Sequence, residues 1–250
     1  MNRKAERWTG HRSEPTSFGP QRVKKERKPT WSGSPSDPVP SCEIDLRSVR
    51  LFGDLAIPAE SLGIVIFAHG SGSSRRSPRN RSVALSLNEA GFGTLLFDLL
   101  TPEEELDRSN VFDVELLAGR LVETTMWLRR QPKAAGTRIG YFGASTGAAA
   151  ALIAAAELGN DVGAVVSRGG RPDLAARRLA EVRPPTLLIV GGADDDVLQL
   201  NREAFALLRC QSRLDIVPGA THLFEEPGTL ETVAALAAGW FTRHLAGTIE

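Results

Sequence analysis

Residues 140–151 read GYFGASTGAAAA, and the fold turns on how that stretch is taken. A short apolar run ends at Phe142, a serine follows between Gly143 and Gly147, and an alanine run stands behind it. This is the G-x-S-x-G spacing of a strained strand-to-helix turn. In such a turn the backbones of strand and helix approach so closely that side chains at the two glycine positions would clash. The turn pushes the Ser145 hydroxyl into a cleft. It also leaves the Thr146 N–H at a helix N-terminus, aimed at a developing oxyanion. The plainer reading is a turn serine capping the helix that begins at Thr146.

Outward from this turn the chain alternates two kinds of segment. Short apolar runs read as strands at 48–57, 64–68, 93–97, 137–142, 162–167, 186–190 and 213–217, the first a hairpin turning at Phe52-Gly53-Asp54. Helical periodicity marks 79–90, 113–130, 146–158, 172–181, 197–208 and 227–245. In the second of these, Val114, Leu117, Leu121, Thr124 and Leu128 form one stripe. The later strands are apolar throughout, as in a parallel sheet covered on both faces. Strand–helix alternation of this length predicts an α/β fold with a doubly wound sheet.

Working groups of such sheets gather at the C-terminal ends of the strands. Read strand by strand, those ends carry His69-Gly70-Ser71-Gly72, Asp98, Ser145, Arg168, Asp194 and His222. A serine hydroxyl needs a base. Of four histidines, His222 lies in the loop PGATHLFEEPG directly after the last strand and is the candidate base, while His69 is placed to shape its own loop. The base needs a carboxylate to fix its tautomer. Asp194 is nearest the strand end, Asp196 reads as a cap for the helix beginning at Val197, and Asp98 is the reserve acid. The order Ser145, Asp194, His222 is the nucleophile–acid–base order of α/β-hydrolases. The second oxyanion donor is expected from the loop after the third strand. There the Ser71 N–H is the candidate, with Gly70 and Gly72 beside it.

The stretches FAHGSGSSRRSPRNR, GYFGASTGAAAAL, VSRGGRPDL, LLIVGGADDDV and PGATHLFEEPG together resemble the dienelactone hydrolase-related branch of the α/β-hydrolase superfamily. The resemblance covers residues 45–246. It implies an eight-stranded sheet, a Ser/Asp/His triad and no cofactor. The enzymes that name the family carry a cysteine nucleophile, whereas this chain has Ser145. That departure favours a general ester or thioester substrate over a dienelactone. Only residues 168–185 fill the gap where many relatives carry a lid, so the lid is expected to be minimal.

Arginines crowd the same rim. Arg75 and Arg168 are the candidate contacts to a carboxylate or phosphate on the substrate, set against a role as ordinary surface charge. The expected ligand is therefore a small ester, anionic if those contacts are made. Two other readings stay open. The fold could serve as a non-catalytic binding or regulatory protein, or the triad could transfer an acyl group to an acceptor other than water.

Composition bounds the rest. The 250 residues carry no formal net charge. Residues 1–40 hold nine Lys/Arg, four Asp/Glu and six of the 15 prolines, so this segment is basic and reads as a disordered tail ahead of a domain at 41–250. The body is correspondingly acidic, and with one tyrosine in the chain a nucleic-acid partner is not expected. Two cysteines without CxxC spacing suggest neither zinc nor a disulfide framework, and a reduced cytoplasmic location is expected. No apolar run is long enough to span a membrane. The glycine turn at 70–75 lacks the third glycine of a dinucleotide site, and no P-loop lysine follows either glycine-rich turn.

Overall fold

The computed structural model describes residues 40–246, so the tail expected over 1–40 lies, apart from Pro40, outside the described residues. Eight strands form one sheet: β1 (Ser41–Asp45), β2 (Arg50–Ala56), β3 (Ile64–Ala68), β4 (Gly93–Phe97), β5 (Ile139–Ala144), β6 (Ala164–Arg168), β7 (Thr186–Gly191) and β8 (Ser212–Val217). Their order is β1-β2-β4-β3-β5-β6-β7-β8. The β1–β2 and β2–β4 pairs are antiparallel and all others parallel. The α/β sheet read from the sequence is present, with β5 and its serine near the centre.

The described residues also form seven α-helices: α1 (Pro78–Glu89), α2 (Pro102–Glu105), α3 (Arg108–Phe112), α4 (Val114–Arg129), α5 (Thr146–Leu158), α6 (Asp195–Leu207) and α7 (Thr229–Leu245). Successive strand residues point to opposite faces. Thus Val65 and Phe67 of β3 pack with Leu87 of α1 and Phe241 of α7, while Ile64 and Ile66 pack with Leu121 of α4 and Leu152 of α5. Both faces are covered, which explains why the central strands have no polar alternation. None of the described helices is long and apolar enough to cross a membrane.

Two local expectations are corrected. The hairpin turns at residues 46–49, where the Leu46 N–H bonds the Val49 carbonyl at 3.0 Å, and not at Phe52-Gly53-Asp54. Gly53 sits mid-strand opposite Cys42 and Phe97. A Cβ there would lie 3.0 Å from side-chain atoms of both Ile44 and Leu95. The glycine therefore serves close packing rather than a turn. The helix expected at 172–181 is instead two short 3-10 turns, Pro172–Ala175 and Leu179–Glu181. In addition, α2 and α3 occupy a segment to which the sequence reading assigned no element. The Thr101 hydroxyl accepts the Glu104 N–H, the Glu104 carboxylate accepts the Thr101 N–H, and Pro102 stands in the first helical turn. That reciprocal cap was visible as TPEE.

Candidate active site

Ser145 sits at the break between β5 and α5 with φ 51° and ψ −124°. Ser145 and Phe224 are the only non-glycine residues with positive φ among the described residues. Such a backbone costs about 1–3 kcal/mol and persists only where neighbours hold it. Three backbone bonds do so. The Ser145 N–H donates to the Arg168 carbonyl at 3.3 Å, and the Ser145 carbonyl accepts from Ala148 at 3.0 Å and Arg171 at 3.1 Å. A Cβ on Gly143 would lie 2.5 Å from the Ala148 Cα, and one on Gly147 would overlap the carbonyl oxygens of Ala68 and His69. Both glycines are required by contact. The Ser145 hydroxyl caps no N–H of α5, so the helix-cap reading does not describe it.

Asp194 and His222 come together. His222 Nδ1 is 2.7 Å from Asp194 Oδ2, with the aspartate side chain 15% exposed and the histidine 38%. The bond fixes Nδ1–H as donor and leaves Nε2 free to take a proton. Asp194 is the residue before the first turn of α6, which begins at Asp195, and its side chain caps nothing. The expected cap at Asp196 is therefore corrected: the helix starts earlier than the apolar periodicity indicated. The loop carrying His222 crosses the ends of β7 and β6. It can cross β7 because a Cβ at Gly191 would overlap the Ala220 carbonyl. At β6, the position of a Cβ on Gly169 is 3.7 Å from His222 Cε1. Thr221 is tied down at both its N–H and its hydroxyl by the Glu226 carboxylate. Among the described residues no hydrogen bond joins Ser145 Oγ to His222; contacts of this kind often tighten only with substrate.

The loop after β3 packs on the serine, and the position of a Cβ on Gly70 is 2.9 Å from Ser145 Cβ. Gly72 takes φ 68°, a turn conformation that favours glycine. The Ser71 N–H departs from expectation: it donates to Thr146 Oγ1 at 2.9 Å instead of standing free. The Thr146 side chain, not only its N–H, belongs to this corner, which a backbone-only reading of the turn missed. Thr146→Val keeps the shape and removes the acceptor. It is expected to cost about 1 kcal/mol, read as a lower midpoint in chemical denaturation.

Beside Gly70 and Ser71 opens a cavity of about 680 Å³. Its far wall is Leu100, Phe112 and Leu117, and Arg76, Arg79 and Arg108 stand around it. Arg75 does not line it. Its N–H donates to Asp98 Oδ1 at 2.9 Å, its guanidinium pairs with the same carboxylate, and Asp54 lies 3.6 Å away. Arg75 therefore ties the β3–α1 loop to β2 and β4, and Asp98, the reserve acid, is taken up by it. Arg168 differs. It is 7% exposed, and its Nε and Nη1 are buried with no hydrogen-bond acceptor. Burial, and then the neighbouring Arg79 charge, push its pKa down to about 10. Its guanidinium lies 5.9 Å from the Phe224 ring centroid, so Phe224, unnoticed in the sequence, shapes this corner too.

His69 has the structural role expected of it. Its Nε2 accepts the Leu99 N–H at 3.2 Å and its Nδ1 faces the Gly70 carbonyl at 3.1 Å. This defines a neutral ring, and burial holds its pKa below the ordinary histidine value. An unfolded chain then takes up the proton more readily than the folded one. The stability from neutral His69 is present above the unfolded pKa of about 6.5 and is lost as pH falls toward the folded value. The denaturation midpoint is expected to drop more between about pH 7 and about pH 5 in wild type than in His69→Gln. Equal drops would remove His69 from the account.

A family model described as the dienelactone hydrolase family matches residues 52–244. Two curated Mycobacterium tuberculosis proteins, both named putative phosphoribosyl transferase, are 63% identical over 199 residues, which is 80% of this chain and 45% of theirs. The chain thus spans under half the length of these relatives. A solved dienelactone hydrolase from Anabaena variabilis is 55% identical with a TM-score of 0.80, covering 82% of this chain and 97% of that one. A Xanthomonas campestris protein described as an α/β serine hydrolase without lid is 21% identical with a TM-score of 0.67, covering 84% and 96%. That last likeness speaks to the fold alone.

Proposed function

This chain belongs to the dienelactone hydrolase family, and from that premise we propose that it is a serine hydrolase cleaving a small ester or thioester. Ser145 is the nucleophile, His222 the base and Asp194 the group that orients the base. The observation that carries the reading is the backbone of Ser145, a non-glycine residue at φ 51° with glycine enforced on both sides. A capping or loop serine has no use for that strain.

In the proposed reaction His222 Nε2 removes the Ser145 proton as Oγ bonds to the acyl carbon. The carbonyl oxygen takes up the electron pair and becomes an oxyanion. The Thr146 N–H, at the start of α5, has no acceptor within its helix and is the leading donor to it. Collapse of this intermediate breaks the bond to the leaving alcohol or thiol, which receives the proton from His222. Water then attacks the acyl-enzyme with His222 again as base, releasing the acid and restoring the serine. The cavity beside Gly70 suits one arm of the substrate: its Leu100–Phe112–Leu117 wall is apolar and its rim is basic. The helices α2 and α3 help to wall this cavity, a part that a lid between β6 and β7 plays in other chains.

The test is labelling with a fluorophosphonate read by intact mass. One adduct is expected on wild type and none on Ser145→Ala. A folded wild type that takes no adduct would overturn the reading and favour a binding protein.

A further inference from the structure

The cationic corner behind His222 deepens this reading, on which it rests. Arg168 projects from the end of β6 to the face that α1 and α7 cover, as Val166 does two residues earlier. No carboxylate pairs with it among the described residues. Buried guanidinium N–H groups without an acceptor are costly, and the Phe224 ring, 5.9 Å away, offsets only part of that. A neighbouring charge makes matters worse. Arg79 is in the first turn of α1, it repels Arg168, and its own Nε is buried without an acceptor. Among the described residues, only Glu225, itself 63% exposed, pairs with Arg79, at 3.0 Å.

The helix terminus adds to the excess. The first turn of the 12-residue α1 contains no acidic residue, although acids are favoured there. It carries Arg79 and Arg81 instead. The first turn of α1 and two guanidinium groups, each with an unpaired N–H, share a corner where the one ion-paired carboxylate among the described residues is the exposed Glu225. The place adjoins the chemistry: the Arg168 carbonyl holds the Ser145 N–H, and a Cβ on Gly169 would meet the His222 carbonyl oxygen at 3.1 Å.

We infer that Arg168 and Arg79, at the N-terminus of α1, form a subsite for a phosphate group carried by the substrate, so that the enzyme acts on a phosphorylated ester. Two guanidinium groups set against the one exposed Glu225 leave the corner cationic, and their forked N–H groups match the oxygens of a phosphate. The α1 dipole adds to the positive field, although Ser77 already accepts the Asn80 N–H and Pro78 has none to give.

Inorganic phosphate is the probe. Thermal unfolding of the wild-type chain is followed in phosphate, in acetate and in chloride at equal ionic strength. Phosphate alone is expected to raise Tm, and to slow fluorophosphonate labelling of Ser145. Arg168→Met is expected to raise Tm without phosphate, because it removes an uncompensated buried charge. It is also expected to weaken the phosphate response about tenfold or more, with Arg168→Lys in between. If Arg168→Met fails to fold, Arg79→Met, at a partly exposed position, must show the same loss. A wild type indifferent to phosphate, one that responds equally to acetate, or an undiminished response in the arginine variants overturns the subsite. Labelling of Ser145 without any phosphate response would reject the subsite and leave the hydrolase intact. A phosphate response without labelling would reject the hydrolase reading on which the subsite's role depends.

Discussion

Ser145→Ala is expected to lower kcat for any ester the wild type cleaves by about 10⁶-fold, with KM little changed. The size follows from the number of tasks lost together: without Oγ there is no acyl-enzyme, and His222 and Asp194 have no proton to move. Asp194→Asn is expected to lower kcat by about 10⁴-fold. The amide would turn an N–H toward His222 Nδ1 in place of the carboxylate Oδ2 at 2.7 Å, and the ring would present the wrong tautomer. Groups that act as a unit are strongly non-additive. The double variant should therefore be no slower than Ser145→Ala alone. Rates with a small activated ester, with the labelling yield as an active-site count, decide it. A Ser145→Ala protein that keeps more than about a hundredth of the wild-type rate would sink the assignment, as would a double variant slowed by the product of the two factors.

How much of this was written in the sequence depends on the range of the forces involved. The Ser145 turn was legible because its constraints are local: Gly143, Gly147 and the alanines of α5 lie within a few residues of each other. The strand ends holding Asp194 and His222 were legible because apolar runs stop there, so the rim could be listed before the sheet was seen. What could not be read were choices between partners distant in the chain. Arg75 and Arg168 looked alike, each just past a strand. Arg75 is neutralised by Asp54 and Asp98, carboxylates brought beside it by the pairing of β2 with β4. Arg168 meets Phe224 and Arg79 instead. Gly53 was misread for the same reason. Its neighbours Ile44 and Leu95 come from two other strands, and only the register reveals that it is packed rather than turned. The Ser71–Thr146 bond joins residues 75 apart. Only the α2 cap was local and overlooked.

The glycine contacts give the second large effect, with a built-in control. Gly147 and Gly119 both lie inside helices, α5 and α4. On helix propensity alone each glycine-to-alanine change should add about 1 kcal/mol of stability. At Gly119 nothing lies within 4 Å of the new methyl group, so Gly119→Ala is expected to realise most of that gain. At Gly147 the methyl group would overlap two backbone oxygens, those of Ala68 and His69. Backbone cannot rotate away as a side chain can, so α5 must lift from the end of β3. Overpacking of this kind costs about 3 kcal/mol, more than the propensity gain, and Gly147→Ala is expected to be destabilised by about 2 kcal/mol or more. The same displacement would move Ser145, two residues earlier, and with it the Thr146 hydroxyl that holds the Ser71 N–H. Gly147→Ala should therefore label far more slowly even where it remains folded, while Gly119→Ala labels as wild type does. Denaturant midpoints and labelling rates on the two variants separate the effects. A Gly147→Ala protein as stable and as reactive as Gly119→Ala would mean that α5 has room to spare against β3, and the contact account of the elbow would fail with it.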